Sequence, residues 1–183
     1  IMESFRYGQQ NELPEIIFSN GTPSKDFFPV EVYQKLSEKA IRDCGKELFG
    51  YQNVQGLTSL RDALADYLEK DDIFVEREDI IITSGTQQSL DIVVKAFGCH
   101  PVKTIVISNP TYPNAINFLG DVCNIKTMDI ENDGWDMEKF EEMIKKEKIH
   151  MVYVISNFQN PTGIVWSDEK KKRLIQLAEE YDF

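Results

Sequence analysis

The chain has few of the residues that build disulfide or metal sites. It contains 3 cysteines and 2 histidines in 183 residues. Cys44, Cys99 and Cys123 lie far apart with no C-x-x-C pair, and neither His100 nor His150 belongs to a metal-binding motif. This pattern argues against a disulfide framework and against a zinc site, and it favours a reducing compartment. We therefore expect no metal and a cytoplasmic location.

Basic residues are outnumbered and long apolar runs are missing. There are 20 Lys and Arg against 31 Asp and Glu, which gives a net charge of −11 and a pI near 4.7. Binding of nucleic acid requires clustered cations, and a membrane span requires a long apolar run. We therefore expect a soluble chain that by itself binds neither nucleic acid nor a membrane. Its length suits about one domain, although the Ile at position 1 suggests a piece of something longer.

Apolar β-branched runs alternate with helical patterns along most of the sequence. After an extended arm (1–28), the periodicity predicts helices at 30–44, 57–70, 86–97, 115–122, 137–148 and 168–181. It predicts strands at 80–83, 104–108, 124–130 and 150–156. Continuous apolar strands separated by helices predict an α/β domain with a mostly parallel sheet flanked by helices.

Ligands of such sheets bind beyond the carboxyl ends of the strands. The first loop there, TSGTQQS (83–89), has a glycine turn that opens a helix. Free N–H groups at a helix N-terminus suit a phosphate. There is no Walker lysine and no G-x-G-x-x-G, so a nucleoside triphosphate or dinucleotide is not favoured. Plain helix capping by Ser84 or Thr86 explains the same residues.

The next two loops each contain an Asn-Pro pair. In NPTYP (109–113), two prolines fix the backbone around Tyr112, whose ring is suited to stack on a flat heterocycle; the alternative is a surface turn. In FQNPTG (158–163), the Asn160–Pro161 bond is a candidate for the cis form. The Asn160 amide suits recognition of a ring oxygen, and an ordinary Asn-Pro turn is the alternative.

Taken in order, the motifs of this chain resemble the class I/II aminotransferases, which are fold-type I enzymes that depend on pyridoxal 5′-phosphate (PLP). The resemblance covers about residues 16–183 and comprises FSNGTPSKDFFP, YQNVQGLTSLRDALADYL, ITSGTQQSLD, NPTYPNA, the D-x-x-x-D-G-W turn and FQNPTG. It implies that residues 1–28 form an N-terminal arm and 29–183 part of a PLP-binding large domain. The rest of that domain and the small C-terminal domain are absent from this sequence.

The resemblance also implies roles for individual residues in cofactor binding. Gly85, Thr86 and Gln87 would hold the PLP phosphate, Tyr112 would stack on the pyridine ring, and Asn160 would bind the 3-hydroxyl oxygen.

Two further regions enter through the same resemblance. Tyr51, followed by Gly56 in a Y-x-x-x-x-G pattern, would reach the phosphate of the neighbouring subunit's cofactor, which implies a homodimer with shared sites. Asn20 and Gly21 lie in the arm that, in relatives, folds over the substrate carboxylate.

The resemblance places no catalytic residue in this chain. The family's Schiff-base lysine follows FQNPTG at a distance that puts it beyond Phe183. The lysine runs at 145–148 and 170–172 are interpreted as solvated helix faces. The chain alone is therefore expected to be inactive.

Three hypotheses for the function remain open at this stage. In the complete protein, a PLP-binding aminotransferase domain would move an amino group between an amino acid and a 2-oxo acid. The same domain also occurs as the effector-sensing module of MocR-type regulators in the GntR group, behind a winged helix-turn-helix. The third hypothesis is a small α/β binding domain with chance motifs. The sequence does not select the amino acid substrate or effector.

Overall fold

The computed structural model describes residues 23–97, 103–120 and 123–183. It divides into two compact units, Ile1–Gln52 and Asn53–Phe183. The first unit contains helix α1 (Val30–Cys44), as predicted, between short 3-10 turns at Lys25–Phe27 and Gly45–Phe49. The division at residue 52 lies within the predicted large domain. The predicted boundary of the arm stays a prediction.

The second unit alternates helices and strands. Its helices are α2 (Thr58–Glu69), α3 (Thr86–Phe97), α4 (Pro113–Gly120), α5 (Met137–Lys146) and α6 (Asp168–Tyr181), with a 3-10 turn at Arg77–Asp79. Its strands are β1 (Thr104–Asn109), β2 (Asn124–Glu131), β3 (Gly134–Trp135) and β4 (Met151–Tyr153).

Side-chain caps fix the first residues of two of these helices. The Asp136 carboxylate accepts from the N–H groups of Glu138 and Lys139 at the start of α5, and the Ser167 hydroxyl accepts from Lys170 N–H at the start of α6. No helix in the described ranges is long and apolar enough to cross a bilayer.

The strands form one sheet in the order β3-β2-β1-β4. Strand β1 runs parallel to both β2 and β4, with Ile105 opposite Ile125 on one side and Met151 on the other. Strand β3 is antiparallel to β2 and joins it through a tight turn. The structure therefore agrees with the predicted mostly parallel sheet flanked by helices.

Strand β1 separates two hydrophobic clusters, because successive side chains of a strand point to opposite faces. Ile105 and Ile107 pack with Val94 of α3 and with two α4 residues, Ala115 and Leu119. Val106 faces the other way, into a cluster with the following members: Met128, Trp135, Phe140, Ile144, Ile149, Trp166 and Leu177. Helices α3 and α4 thus cover one face of the sheet, and α5 and α6 cover the other.

Two predictions about the strands need correction, and one strand is additional. Residues 80–83 are not a strand within the described chain: they are extended, and Ile82 N–H donates to Gln55 O at 2.9 Å instead of joining a ladder. The predicted strand 150–156 shortens to Met151–Tyr153. The two-residue strand β3 was not predicted. Amino-acid composition predicts that a segment is extended, but it becomes a β-strand only if another strand lies beside it and pairs with its backbone.

Lys170 also departs from the prediction that its run is a solvated face. Its side chain is only 20% exposed, and its Nζ donates to Asp133 Oδ1 at 2.7 Å and to Glu131 Oε2 at 3.4 Å. This hydrogen bond from Lys170 lowers the pKa of Asp133 below its usual value. Lys170 therefore attaches α6 to the turn between β2 and β3.

Candidate functional site

The carboxyl ends of the parallel strands β1 and β4 lead into the two Asn-Pro loops. Strand β1 ends at Asn109, whose Nδ2 donates to Asp129 Oδ1 of β2 at 2.8 Å. The Asn109–Pro110 and Asn160–Pro161 peptide bonds are both cis. The cis candidate at Asn160 is confirmed, whereas the one at Asn109 was not predicted. Both loops lie at the edge of the sheet where α/β proteins bind ligands.

A direct hydrogen bond joins these two loops. Gln159 Nε2 donates to the carbonyl oxygen of Pro110 at 2.8 Å. Gln159 itself is 1% exposed, while the adjacent Asn160 is exposed. Asn160 therefore presents its amide to solvent from a loop held against the one that carries Tyr112. Sequence reasoning missed Gln159, because no periodic pattern in a loop distinguishes a buried amide from an exposed one.

Tyr112 is held on two sides. Its ring packs against the cluster of α3, β1 and α4, and its hydroxyl oxygen accepts from Asn114 Nδ2 at 2.8 Å. Tyr153 of β4 packs against the same cluster. Burial, and after it the neighbouring Tyr112, raises the pKa of the Tyr153 phenol above its ordinary value. Tyr153 is therefore neutral at physiological pH, and Tyr112 is half-buried with a fixed ring.

The start of α3 offers unpaired donors to solvent. Gly85 has φ +90°, and a Cβ placed on it would meet nothing within 4 Å. Its carbonyl oxygen accepts from Gln88 and Ser89 N–H at 3.1 and 3.3 Å. The N–H groups of Thr86 and Gln87 therefore precede the first bonds of the helix and have no acceptor inside it. Both residues are exposed, so donors and the positive end of the helix dipole are accessible to an anion.

The alternative interpretation of this segment was helix capping by Ser84 or Thr86, and the structure shows a different hydrogen-bond pattern. Among the described residues, the hydroxyl oxygens of Ser84 and Thr86 accept no backbone N–H. Instead, the Gln88 side chain accepts from Ser84 N–H. Thr83 Oγ1 and Ser89 Oγ lie 2.8 Å apart. Both contacts stabilise the helix start, and neither uses the N–H group of Thr86 or Gln87.

The other three predicted residues belong to the first unit or lie outside the described residues. Tyr51 belongs to the first unit and is fully exposed. Asn20 and Gly21 lie outside the described residues. Of the eight residues predicted for the site, five lie on the second unit, at the helix start and in the two Asn-Pro loops: Gly85, Thr86, Gln87, Tyr112 and Asn160.

These residues fit the cofactor that the resemblance implies. PLP carries a phosphate dianion, a flat pyridine ring and a phenolic oxygen. The exposed N–H groups at Thr86 and Gln87 suit the phosphate, the fixed Tyr112 ring offers an aromatic face, and the exposed Asn160 amide supplies a donor for an anionic oxygen.

Comparison with known proteins identifies the same family that the sequence motifs resemble. The model of the family "aminotransferase class I and II" matches residues 16–183. Aromatic-amino-acid aminotransferase 1 of Thermococcus litoralis is 32% identical over 175 residues, which cover 92% of this chain and 42% of that protein. The uncharacterized HTH-type transcriptional regulator YcxD of Bacillus subtilis is 31% identical over 169 residues, or 91% of this chain and 38% of that protein.

A solved structure gives the same result for the fold. The crystal structure of Pyrococcus horikoshii kynurenine aminotransferase, in complex with PMP, KYN and KYA, superimposes with a TM-score of 0.82 at 29% identity. The match covers 90% of this chain and 42% of that one. The chain thus spans about two fifths of the length of the relatives that it matches.

Proposed function

Because this chain belongs to the aminotransferase class I and II family, we propose that it supplies part of a PLP site in a protein that moves an amino group between an amino acid and a 2-oxo acid. One observation carries the proposal. The Tyr112 and Asn160 loops are hydrogen-bonded to each other at the carboxyl edge of β1 and β4, and Tyr112 packs against the hydrophobic cluster to which α3 contributes Val94. The N–H groups at the start of α3 are free.

Each part of the site has a distinct task in this proposal. Gly85 gives the turn before the helix its positive φ, and the N–H groups and side chains of Thr86 and Gln87 hold the phosphate. Tyr112 stacks on the pyridine ring. Asn160 donates to the 3-hydroxyl oxygen and so stabilises its anionic form. When bound, the cofactor supplies the electron sink for reactions at the amino acid's α-carbon.

The proposal also extends to residues that the second unit does not contain. Tyr51 reaches the phosphate of a neighbouring subunit's cofactor, so the active protein is a homodimer with shared sites. Asn20 and Gly21 lie near the substrate carboxylate. Lys170 and Lys145 are not candidates for the covalent attachment of the cofactor, since Lys170 is bonded to Asp133 and Lys145 to Glu141. We place the protein in the cytoplasm.

A regulator is the second candidate function, and the similarity to YcxD favours it. In that case the same pocket binds PLP and an amino-acid effector, and the bound effector changes the conformation of an attached DNA-binding domain. The chemistry of the cofactor site is the same in both functions. Sustained turnover of substrate distinguishes the enzyme from the regulator.

The test uses the native protein that carries this chain. We expect it to bind PLP with a visible absorbance band and to change that spectrum when amino acids are added from a panel. An aminotransferase converts many equivalents of an added 2-oxo acid into the amino acid, whereas a regulator gives the spectral change with no sustained turnover. A protein that takes up no PLP at saturating concentration contradicts both functions.

Substitution of Tyr112 tests the stacking role. Tyr112→Ala is expected to weaken PLP binding by about tenfold, because an aromatic pair contributes about 0.5–1.5 kcal/mol beyond the area that it buries. Tyr112→Phe keeps the ring and loses only the hydrogen bond from Asn114, so it serves as the matched control with near wild-type affinity. Equilibrium titration with PLP measures both, and equal affinity of Tyr112→Ala and wild type contradicts the stacking role.

A further inference from the structure

Gln159 is the most highly bonded residue of the two Asn-Pro loops. Its side chain is buried, and Oε1 accepts from both the N–H, at 2.9 Å, and the hydroxyl of Thr162. Its Nε2 donates to Pro110 O at 2.8 Å. Its backbone N–H donates to Ile164 O at 2.9 Å, and its carbonyl accepts from Gly163 N–H. One residue therefore closes its own loop and reaches across to the other.

The position of this amide matters because of its sequence neighbours. Asn160 follows Gln159 directly, and Tyr112 lies two residues after Pro110. The Gln159–Pro110 hydrogen bond thus connects the backbone that carries the ring-stacking group to the backbone that carries the oxygen-binding group. A buried amide that loses its hydrogen-bond partners is destabilising, so the arrangement resists separation of the loops.

From this geometry we propose that Gln159 is a positioning residue for the cofactor. It fixes the separation between the Tyr112 ring and the Asn160 amide so that both reach one pyridine ring at once. Gln159 itself does not touch the cofactor. This proposal rests on the proposed function, since it assigns the distance between two groups of that same site.

The consequence is measurable in the cofactor itself. Donation from Asn160 stabilises the anionic 3-hydroxyl oxygen and lowers the pKa of the bound cofactor. If Gln159 sets the reach of Asn160, loss of the Gln159–Pro110 bond weakens that donation. The pKa of the bound cofactor then rises, as it does when the Asn160 amide is removed. A residue that only stabilises the fold leaves this pKa unchanged.

The experiment compares neutral variants of the native protein that carries this chain. Gln159→Met keeps the length of the side chain and removes its donors and acceptors without adding charge. Gln159→Asn keeps an amide for Thr162 but is too short to reach Pro110 at the same time. Asn160→Ala gives the reference shift. Gln176→Met makes the same change on the exposed face of α6 and serves as the control.

Two readouts are taken for each variant: the affinity for PLP, and the pH titration of the visible absorbance of the bound cofactor. We expect Gln159→Met and Gln159→Asn to bind PLP about tenfold more weakly and to raise the cofactor pKa in the direction of Asn160→Ala. Gln176→Met should match wild type. If Gln159→Met fails to fold, Gln159→Asn supplies both readouts.

The outcomes separate this role from the proposed function. Wild-type binding of PLP together with unshifted titrations in both Gln159 variants contradicts the positioning role, even when their thermal stability falls. A wild-type protein that binds no PLP contradicts the proposed function instead, and is recognised before any variant is compared.

Discussion

Trp135→Ala is expected to lower the free energy of unfolding by about 3–5 kcal/mol, the range for removal of a large buried aromatic side chain. Trp135 is fully buried, and its ring lies 5.2 Å from both Phe140 and Trp166, measured between centroids. Its removal leaves a cavity on the face of the sheet covered by α5 and α6. Urea unfolding of the native protein that carries this chain, followed by circular dichroism, measures the change.

The effect of Trp135 also extends toward the site. Its Nε1 donates to Ser108 Oγ at 3.0 Å, and Ser108 is buried next to the first residue of the Asn109–Pro110 loop. Trp135→Phe is the matched variant, because it keeps an aromatic ring and leaves the Ser108 hydroxyl without this partner. We expect it to cost about 1–3 kcal/mol, less than Trp135→Ala. Equal stability of Trp135→Ala and wild type contradicts the cavity argument.

Gly134→Ala is expected to destabilise the protein by about 2–5 kcal/mol, from two independent causes. Gly134 has φ +123°, which side-chain-bearing residues rarely adopt, and a Cβ there would lie 2.8 Å from Cδ2 of the Trp166 ring. That ring is 2% exposed, so there is little room for it to move. The alanine must therefore change the turn, the ring or both.

Gly45→Ala separates the two causes. Gly45 also has a positive φ, +55°, but its Cβ position is open, with nothing within 4 Å. We expect this control to cost about 1–3 kcal/mol from conformation alone. Thermal or urea unfolding of both variants gives the comparison. A Gly134→Ala protein no less stable than Gly45→Ala contradicts the clash with Trp166.

The helices were predictable because their signals are local. Residues 30–44 and 168–181 were predicted with the bounds that the structure gives to α1 and α6, since side-chain periodicity and flanking cap residues lie within the segment itself. The parallel sheet followed from strands too apolar to leave a face in water. All of these signals can be identified without knowing which distant residues the segment contacts.

The sequence predictions were wrong or incomplete where the role of a residue depends on a contact with a residue far away in the sequence. The run at 80–83 has strand composition, yet its Ile82 N–H is taken by Gln55 rather than by a ladder. Lys170 belongs to a basic run, yet it is partly buried against Asp133. The Asn-Pro loops were recognised from their sequence, but the buried Gln159 between them was not, because its role depends on Pro110, 49 positions away.

The paired tryptophans have a spectroscopic consequence. The chain has 2 Trp, and both lie in one cluster with their rings 5.2 Å apart. Intrinsic fluorescence of these residues therefore reports on the α5–α6 face of the second unit. Because PLP absorbs where tryptophan emits, energy transfer from this pair to a bound cofactor would quench that emission. The chain thus carries an internal donor with which occupancy of the site is measured without a label.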